Sequence, residues 1–280
     1  MSNIYYDFKS FSKVNFGLRV LNKRSDNFHN IESIFIELNF HDILTFSPAP
    51  IFELTCNDSS IPINQKNTIS QSYHKLKSIY NFDVDYHIHL KKNIPVESGL
   101  GGGSSNAACT IKALNQLLEL NLDKEIMYKY ALDIGSDVPF FIDGGIKFIK
   151  GRGEIIEKIN NHDYFKGLYF LIVYPEFSVS TQWAYEKLKK ALKCNDKQYK
   201  FPTLDERLNW KLFENDFEVV VKAAYPEITD IKDLMYNNGA LYTGLSGTGS
   251  TVFGIYNEEK FILQSQNKLS HYKTHRASPT

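Results

Sequence analysis

The residues best suited to chemistry are a cluster of glycines that runs directly into a helix-forming segment. Four glycines and two serines stand close together: Gly99, Gly101, Gly102, Gly103, Ser104 and Ser105. Glycine adopts backbone angles closed to other residues, so such a loop can bring successive N–H groups near an anion. Apolar residues recur at helical spacing over 105–120, and we expect the two serines to cap that helix. A helix N-terminus adds unpaired N–H donors, so we predict a phosphate site here.

The familiar phosphate loops do not fit this cluster. A Walker A loop requires a lysine after its glycines, and none follows here. The dinucleotide-binding pattern counted from Gly99 requires glycine at 104, where this chain has serine. Neither an His-Arg-Asp nor an Asp-Phe-Gly triplet occurs, so a protein kinase is not supported. The remaining alternative, a flexible glycine linker, is disfavoured by the amphipathic helix directly after it.

Length and composition exclude several classes of protein. The 280 residues are enough for one large domain or two ordinary ones, and we favour two. Thirty-two basic side chains balance thirty-two acidic ones, so we expect no nucleic-acid or membrane partner. Cys56, Cys109 and Cys194 are scattered, which disfavours a disulfide framework or a zinc site. No apolar run approaches the roughly 18 residues of a membrane span and no secretion signal is present, so we expect a cytoplasmic protein without an obligate protein partner.

Hydrophobic patterning predicts an α+β fold in two domains. In the first half, apolar runs predict strands at 31–39, 43–46 and 84–90, and helical spacing predicts helices at 68–79, 105–120 and 124–132. That order favours an antiparallel sheet with helices on one side. Glycines break the pattern near 144–153, so we divide the chain into domains at 1–150 and 151–280. The second domain is predicted to contain a strand at 168–174, helices at 181–192, 216–224 and 227–237, and a terminal strand after 240.

Outside the glycine cluster, several residues have the chemistry that phosphoryl transfer requires. Asp137 follows a short turn and precedes Val138 and Pro139, so its carboxylate would be rigid and partly desolvated, as suits a base. An Asp in a turn is more often a cap. Lys13 and Asn15 share one face if their segment is a strand, although an isolated lysine is usually a surface charge.

Two further stretches are suited to binding a substrate. Phe28 and His29 are neighbours in a polar loop, where they could stack on and hydrogen-bond to a base or sugar, although a loop histidine is more often merely exposed. The glycine-rich stretch 244–251 could line the phosphate site or form only a tight hairpin.

In order and spacing, these segments together resemble the GHMP kinases, the small-molecule kinases named for galactose, homoserine, mevalonate and phosphomevalonate. Three features are most similar to members that phosphorylate a cytidylated alcohol in non-mevalonate isoprenoid synthesis. They are the Lys-x-Asn block at 13–15, the Lys-Arg-x-Asp-x-aromatic-His-x-Ile-Glu-Ser loop at 23–33, and the Asp-Val-Pro-Phe-Phe segment at 137–141 followed by Gly-Gly at 144–145. The resemblance implies two α+β domains with the active site in the cleft between them, and ATP with Mg²⁺ as cofactors. No acidic cluster identifies magnesium ligands, so the phosphate oxygens would hold most of the ion.

The resemblance also implies roles for individual residues. Asp137 matches the family's catalytic base and Lys13 the cation beside it. The positions that match the ATP site are Pro95, Ser98, Gly99, Leu100, Gly101, Gly102, Gly103, Ser104, Ser105 and Asn106, with Asn67 and Lys92 on the nucleotide side. The positions that match the substrate site are Asn15, Phe28, His29, Asp137, Thr181, Tyr185, Gly247 and Thr248.

Three stretches depart from the family's usual pattern. Asn27 and Phe28 replace a common Gly-Tyr pair, which keeps a stacking ring but removes a phenol. Ser136 stands where alanine is usual. Glu97 places a carboxylate beside the phosphate loop, where it would repel ATP unless it points outward.

Two alternatives remain open. The first is a sister kinase acting on mevalonate, phosphomevalonate or homoserine, from which the Phe28-His29 pair separates this chain. The second is a non-catalytic nucleotide or sugar sensor on the same fold, which the presence of both Lys13 and Asp137 disfavours.

Overall fold

The chain forms two compact units, each built from separate stretches of sequence. A computed structural model describes residues 4–159, 163–192, 201–202, 204 and 208–280. The first unit contains the chain up to Ser12, His41–Pro95 and Gly101–Gly144, and the second contains Lys13–Phe40, Val96–Leu100 and Gly145–Thr280. The predicted domains, 1–150 and 151–280, are continuous in sequence, whereas these units are groups of residues in mutual contact. The division into domains therefore stays a prediction.

Strands and helices are mixed along the chain, which confirms the predicted α+β class. The strands of the described residues are β1 Tyr6–Lys23, β2 His29–Ala49, β3 Glu53–Cys56, β4 Asp85–Lys91, β5 Ile146–Gly151, β6 Ile155–Lys158, β7 Tyr169–Tyr174, β8 Tyr242–Leu245, β9 Val252–Tyr256 and β10 Lys273–Ala277. The helices are α1 Thr68–Tyr80, α2 Gly102–Leu117, α3 Lys124–Ile134, α4 Phe140–Asp143, α5 Thr181–Leu192, α6 Glu218–Ala224, α7 Glu227–Asn237 and α8 Glu259–Lys268.

In the first unit, the second half of β2 pairs antiparallel with β4, and β3 pairs parallel with β4. The predicted antiparallel sheet is therefore confirmed for β2 with β4 and wrong for β3 with β4, which run parallel. The chain between β3 and β4 contains α1, and a helical crossover of this kind allows two consecutive strands to run in the same direction. Along β4, Tyr86, Ile88 and Leu90 are buried, whereas His87 and His89 between them are partly exposed. One face of this sheet is therefore buried and the other is partly open to solvent.

In the second unit, the first half of β2 pairs antiparallel with β5, which pairs with β6. A separate antiparallel sheet has the order β10-β7-β9-β8. Its apolar core includes Leu171 and Val173 of β7, Val252 of β9, and Ile228 and Ile231 of α7. The strand predicted at 168–174 and the helices predicted at 181–192 and 227–237 are confirmed. The prediction of a terminal strand after 240 is incomplete, because α8 and β10 follow β9.

Two boundary predictions fail for local reasons. The strands predicted at 31–39 and 43–46 are a single strand, β2, whose polar interruption contains the fully buried Asp42. The serine caps predicted for α2 are wrong as well. Gly101 stands at the N-cap with φ 72°, and Ser104 and Ser105 lie inside the first turn. The helix begins earlier than its apolar spacing indicates, because the glycines themselves form the first turn.

None of the helices in the described residues is long and apolar enough to cross a membrane. Cys194 lies outside the described residues, and Cys56 and Cys109 are free thiols.

Candidate active site

Lys13 is a buried cation held by neutral groups of its own unit. Its ammonium Nζ donates to Asn15 Oδ1 at 2.6 Å and to the Gly99 carbonyl at 3.0 Å, and it lies 4.7 Å from the centroid of the Phe35 ring. Only 3% of Lys13 is exposed. The predicted strand parity of Lys13 and Asn15 is therefore confirmed, and the interpretation of Lys13 as an ordinary surface charge is wrong.

Asn15 connects Lys13 to a buried polar network. Its Nδ2 donates to Ser33 Oγ at 3.0 Å, and the Ser33 hydroxyl donates to the Gly17 carbonyl at 2.6 Å. Asn15 and Ser33 are almost fully buried. Because buried polar groups rigidify a site when each finds a partner, this network fixes the amide oxygen that Lys13 contacts.

Gly99 is the point at which two glycine loops of the second unit meet. The Ser246 hydroxyl donates to the Gly99 carbonyl at 2.8 Å, and the Thr251 N–H donates to the Ser98 carbonyl at 3.2 Å. Gly99 has φ 81°, and a Cβ built there would lie 1.9 Å from the Ser246 carbonyl oxygen. Only glycine fits at this position, both by conformation and by space.

Asn215 fixes the second glycine loop, 244–251. Its Nδ2 donates to the carbonyls of Leu245 and Gly247, both at 2.8 Å, and it is buried. Ser246 and Asn215 are supports that the sequence did not single out as site residues. The sequence could have indicated them, because Ser246 is a polar residue inside a glycine-rich turn and Asn215 is a polar residue shortly before the helix α6.

The second half of the first glycine loop opens α2 in the first unit. The first intrahelical bond runs from the Ser105 N–H to the Gly101 carbonyl, so the N–H groups of the preceding residues have no intrahelical acceptor. Gly103 is exposed and Ser104 is partly exposed, whereas Ser105 and Asn106 are buried. The side chains of Ser105 and Asn106 both lie 2.7 Å from the Ser10 hydroxyl. The Ser10 hydroxyl thus contacts both of these buried side chains, and the exposed start of the helix is where an anion can approach.

Lys92 lies against this helix start, and Asp42 holds it there. A Cβ on Gly102 would lie 2.8 Å from Lys92 Nζ. Lys92 pairs with Asp42, whose other oxygen accepts N–H bonds from Asn93 at 2.7 Å and Ile94 at 2.8 Å. Burial lowers the pKa of Lys92, although the Asp42 carboxylate opposes that shift.

Asp42 was not identified from the sequence as a residue of the site, although its position in the apolar pattern of β2 indicates that it is buried. It occupies one of the inward positions of β2, between Leu38 and the alternating pair Leu44 and Phe46. A carboxylate at an inward position must be paired, because burying an isolated charge is costly.

Asn67 and Thr68 position the neighbouring helix. The Asn67 side chain caps α1 by accepting the Ile69 N–H at 2.9 Å, and it donates to the Pro62 carbonyl at 2.8 Å. The Thr68 hydroxyl donates to the Gly103 carbonyl at 2.7 Å. Thus Asn67, predicted to bind nucleotide, uses its amide within the protein, and the loop contact comes from Thr68.

Asp137 lies in the turn between α3 and α4. The turn is closed by hydrogen bonds from the Val138 N–H to the Gly135 carbonyl at 3.2 Å and from the Phe141 N–H to the Val138 carbonyl at 3.1 Å. Val138 and Phe140 are buried, whereas Asp137 is partly buried. This agrees with the predicted rigid and partly desolvated carboxylate.

The predicted substrate residues of the second unit fall into two places. The rings of His29 and Tyr185 stack with centroids 5.1 Å apart and an interplanar angle of 20°. Phe28 does not join this stack. It is 49% exposed, and the Arg152 guanidinium lies 5.0 Å from its ring centroid.

Thr181 and Thr248 lie at the second place, with their hydroxyls 3.3 Å apart. Both line a cavity of about 580 Å³, together with Glu97, Gly99 and Trp183 among others. Glu97 has φ 51°, and its side chain is exposed. Solvent screens the charge of its carboxylate at this exposed position.

Among the described residues, no group of three or more His, Cys, Asp or Glu side chains is placed to hold a metal ion.

Comparison with family models identifies the class of protein to which this chain is similar. The family model for the GHMP kinases N terminal domain matches residues 67–145, and that for the GHMP kinases C terminal region matches residues 204–268. A crystal structure of 4-(cytidine 5'-diphospho)-2C-methyl-D-erythritol kinase has the same fold, with a TM-score of 0.80, 23% identity and coverage of 98% of both chains.

Two curated relatives narrow the class. A 4-diphosphocytidyl-2-C-methyl-D-erythritol kinase of Chlorobium chlorochromatii is 32% identical, covering 95% of this chain and 94% of its own. One from Thermodesulfovibrio yellowstonii is 36% identical and covers 90% of each chain. The chain therefore belongs to the GHMP kinases, in the family of the 4-diphosphocytidyl-2-C-methyl-D-erythritol kinases.

The first prediction concerns Gly99. We expect Gly99→Ala to be much more destabilising than Gly145→Ala, because both glycines have positive φ but only Gly99 has no room for a methyl group. Gly145→Ala should cost about 1 kcal/mol, and Gly99→Ala several times more. Urea denaturation of the two variants measures the difference, and equal losses would contradict the packing argument.

The second prediction concerns Asp42. We expect Asp42→Asn to cost about 3–5 kcal/mol, because it leaves the buried Lys92 ammonium without its carboxylate. Replacing both partners, as Asp42→Leu with Lys92→Met, should cost less than Asp42→Asn alone. The surface pair Lys75–Asp133 is the control, where Asp133→Asn should cost at most about 1 kcal/mol. Urea denaturation measures the free energy of unfolding of each variant. If Asp42→Asn and Asp133→Asn lowered it equally, the buried pair would stabilise the fold no more than the surface pair does.

Proposed function

We propose that this chain transfers the γ-phosphoryl group of ATP to the 2-hydroxyl of 4-diphosphocytidyl-2-C-methyl-D-erythritol, a step of non-mevalonate isoprenoid synthesis. The observation that carries the proposal is the likeness to curated kinases of that name over at least nine tenths of the chain. In the reaction the hydroxyl oxygen forms a bond to the γ-phosphorus, ADP leaves and the hydroxyl proton is lost.

ATP binds at the glycine loop. The exposed N–H groups at the start of α2, near Gly103 and Ser104, contact its phosphates, which the partial positive charge of the helix terminus favours. Lys92 and Asn67 act indirectly, through their packing against the starts of α2 and α1. Mg²⁺ accompanies the nucleotide and neutralises phosphate charge.

Asp137 is the base that takes the hydroxyl proton, and Lys13 favours the ionised carboxylate and the developing alkoxide. Support for Asp137 comes from its fixed turn and partial burial. Support for Lys13 comes from its fixed ammonium, which neutral acceptors hold within its own unit.

His29 and Tyr185 recognise the cytosine. An aromatic pair stacked at 5.1 Å presents flat surfaces for a base, and the imidazole supplies a hydrogen bond. Thr181 and Thr248, which line the cavity described above, contact the acceptor's polyol, and so does Gly247 next to Thr248 in the second glycine loop. Phe28 is exposed and lies beside Arg152, so it offers a second ring to the substrate. The kinase works in the cytoplasm without an obligate protein partner.

One assay separates the proposal from its alternatives. ADP formation should be measured with ATP·Mg²⁺ alone and with added 4-diphosphocytidyl-2-C-methyl-D-erythritol, mevalonate, phosphomevalonate or homoserine. We expect turnover to depend on the cytidylated alcohol. Turnover with one of the other acceptors would indicate a sister kinase, and nucleotide binding without turnover would indicate a sensor.

For the chemical step, we expect Asp137→Asn to lower kcat by a factor on the order of 100 or more with little change in ATP binding. Lys13→Met should act on the same step. If the two side chains act as a unit, the double variant should be little slower than either single variant. Near-normal turnover of Asp137→Asn would remove it from the mechanism, and additive losses would mean that the two residues act independently.

For recognition, we expect His29→Phe to raise KM for the cytidylated alcohol about tenfold, because the ring can still stack on Tyr185 but the hydrogen bond to cytosine is lost. KM for ATP should stay within about twofold. His271→Phe, a change at a histidine outside the proposed site, is the control. An unchanged KM for the acceptor in His29→Phe would show that the imidazole makes no hydrogen bond to the cytosine that contributes to binding.

A further inference from the structure

Two histidines on the partly exposed face of β4 converge on one point. His87 and His89 are two residues apart on the strand, so their side chains project to the same side of the sheet. His87 Nε2 lies 2.8 Å from Thr55 Oγ1, and His89 Nδ1 lies 2.9 Å from the same oxygen. Thr55 stands opposite His89 on the neighbouring β3. The two ring nitrogens therefore flank a single hydroxyl.

The bonding at this hydroxyl constrains the two rings. A threonine hydroxyl has one proton, so it can donate to only one imidazole nitrogen and must accept an N–H from the other or leave that contact weak. Both rings are thus oriented toward the same point before any ligand arrives. Neither histidine belongs to the glycine loops, the Asp137 turn or the His29–Tyr185 stack.

We propose that His87 and His89 form a two-histidine chelate for a divalent transition-metal ion of the Cu²⁺, Ni²⁺ or Zn²⁺ type. The ion takes the position between the rings, with His87 Nε2 and His89 Nδ1 as ligands and water completing its coordination. The Thr55 hydroxyl turns away. An imidazole that had donated an N–H to it moves that proton to its other nitrogen, so that both ligating nitrogens present a lone pair.

The chemistry of the donors sets which ions fit. Imidazole nitrogen suits Cu²⁺, Ni²⁺ and Zn²⁺, whereas Mg²⁺ and Ca²⁺ prefer oxygen ligands. Affinity should be highest for Cu²⁺, as the general order for divalent ions requires. Charged residues on this side include Glu53, opposite His87 in the register, and Asp85 and Lys91 at the two ends of β4. Asp7 accepts a hydrogen bond from Thr45, the residue of β2 that pairs with His89. The carboxylates favour a cation nearby, and the two imidazoles are the groups whose nitrogens meet at one point.

Copper titration of the metal-free, full-length protein tests the site without nucleotide or substrate. Binding is measured by isothermal titration calorimetry, and the ligands are identified by the nitrogen couplings in the electron paramagnetic resonance spectrum. We expect about one equivalent of Cu²⁺ with nitrogen ligation, and at least a tenfold loss of affinity in His87→Asn and in His89→Asn. Circular dichroism and the unchanged melting temperature of the metal-free variants verify their folding.

Two further variants make the result decisive. Thr55→Val removes the hydroxyl but neither ligand, so it should bind Cu²⁺ at least as tightly as the native chain. His41→Asn, a change at another histidine of the same unit, should leave binding unchanged. Native-like copper affinity in the His87→Asn/His89→Asn double variant, or loss of binding in Thr55→Val, would overturn the proposal.

Discussion

The close approach of Gly99 to the carbonyl of Ser246 is the contact on which the second unit's loops depend. No side chain can be accommodated there, since a Cβ would lie 1.9 Å from that oxygen. In return, the Gly99 carbonyl accepts bonds from both the Ser246 hydroxyl and the Lys13 ammonium. One glycine thus fixes the second glycine loop and the candidate catalytic cation. The chain then passes within two residues to Gly101, the N-cap of α2.

Much of this could be predicted from the sequence, because the signals are local. Period-two and helical spacing located β4, α1 and α7 closely, since each buries one regular face. The parity rule placed Lys13 and Asn15 on one side of β1, and the 2.6 Å contact between them confirms it. The glycine cluster indicated a tight loop before a helix, and positive φ angles at Gly99 and Gly101 agree with that interpretation.

What the sequence did not reveal depends on partners far away in the chain. Asp42 finds Lys92 fifty residues later, and Ser246 reaches Gly99 across 147 residues. Asn106 matched a phosphate site by position, yet its amide contacts Ser10, which no local pattern indicates. Spacing shows which face of an element is inward. It does not show which inward polar group will meet which partner, so buried polar networks are the part of a site that sequence reasoning misses most readily.

Lys13 of the second unit and Lys92 of the first are buried lysines that are held in different ways. Lys92 pairs with Asp42, a carboxylate that is fully buried. This pairing places the Lys92 ammonium between β2 and the start of α2, where a Cβ on Gly102 would lie 2.8 Å from it. The groups of its unit that hold Lys13 are an amide oxygen, a backbone carbonyl and an aromatic ring. These contacts fix the position of the ammonium, and a charge that is already fixed needs little reorganisation when it faces a negative group.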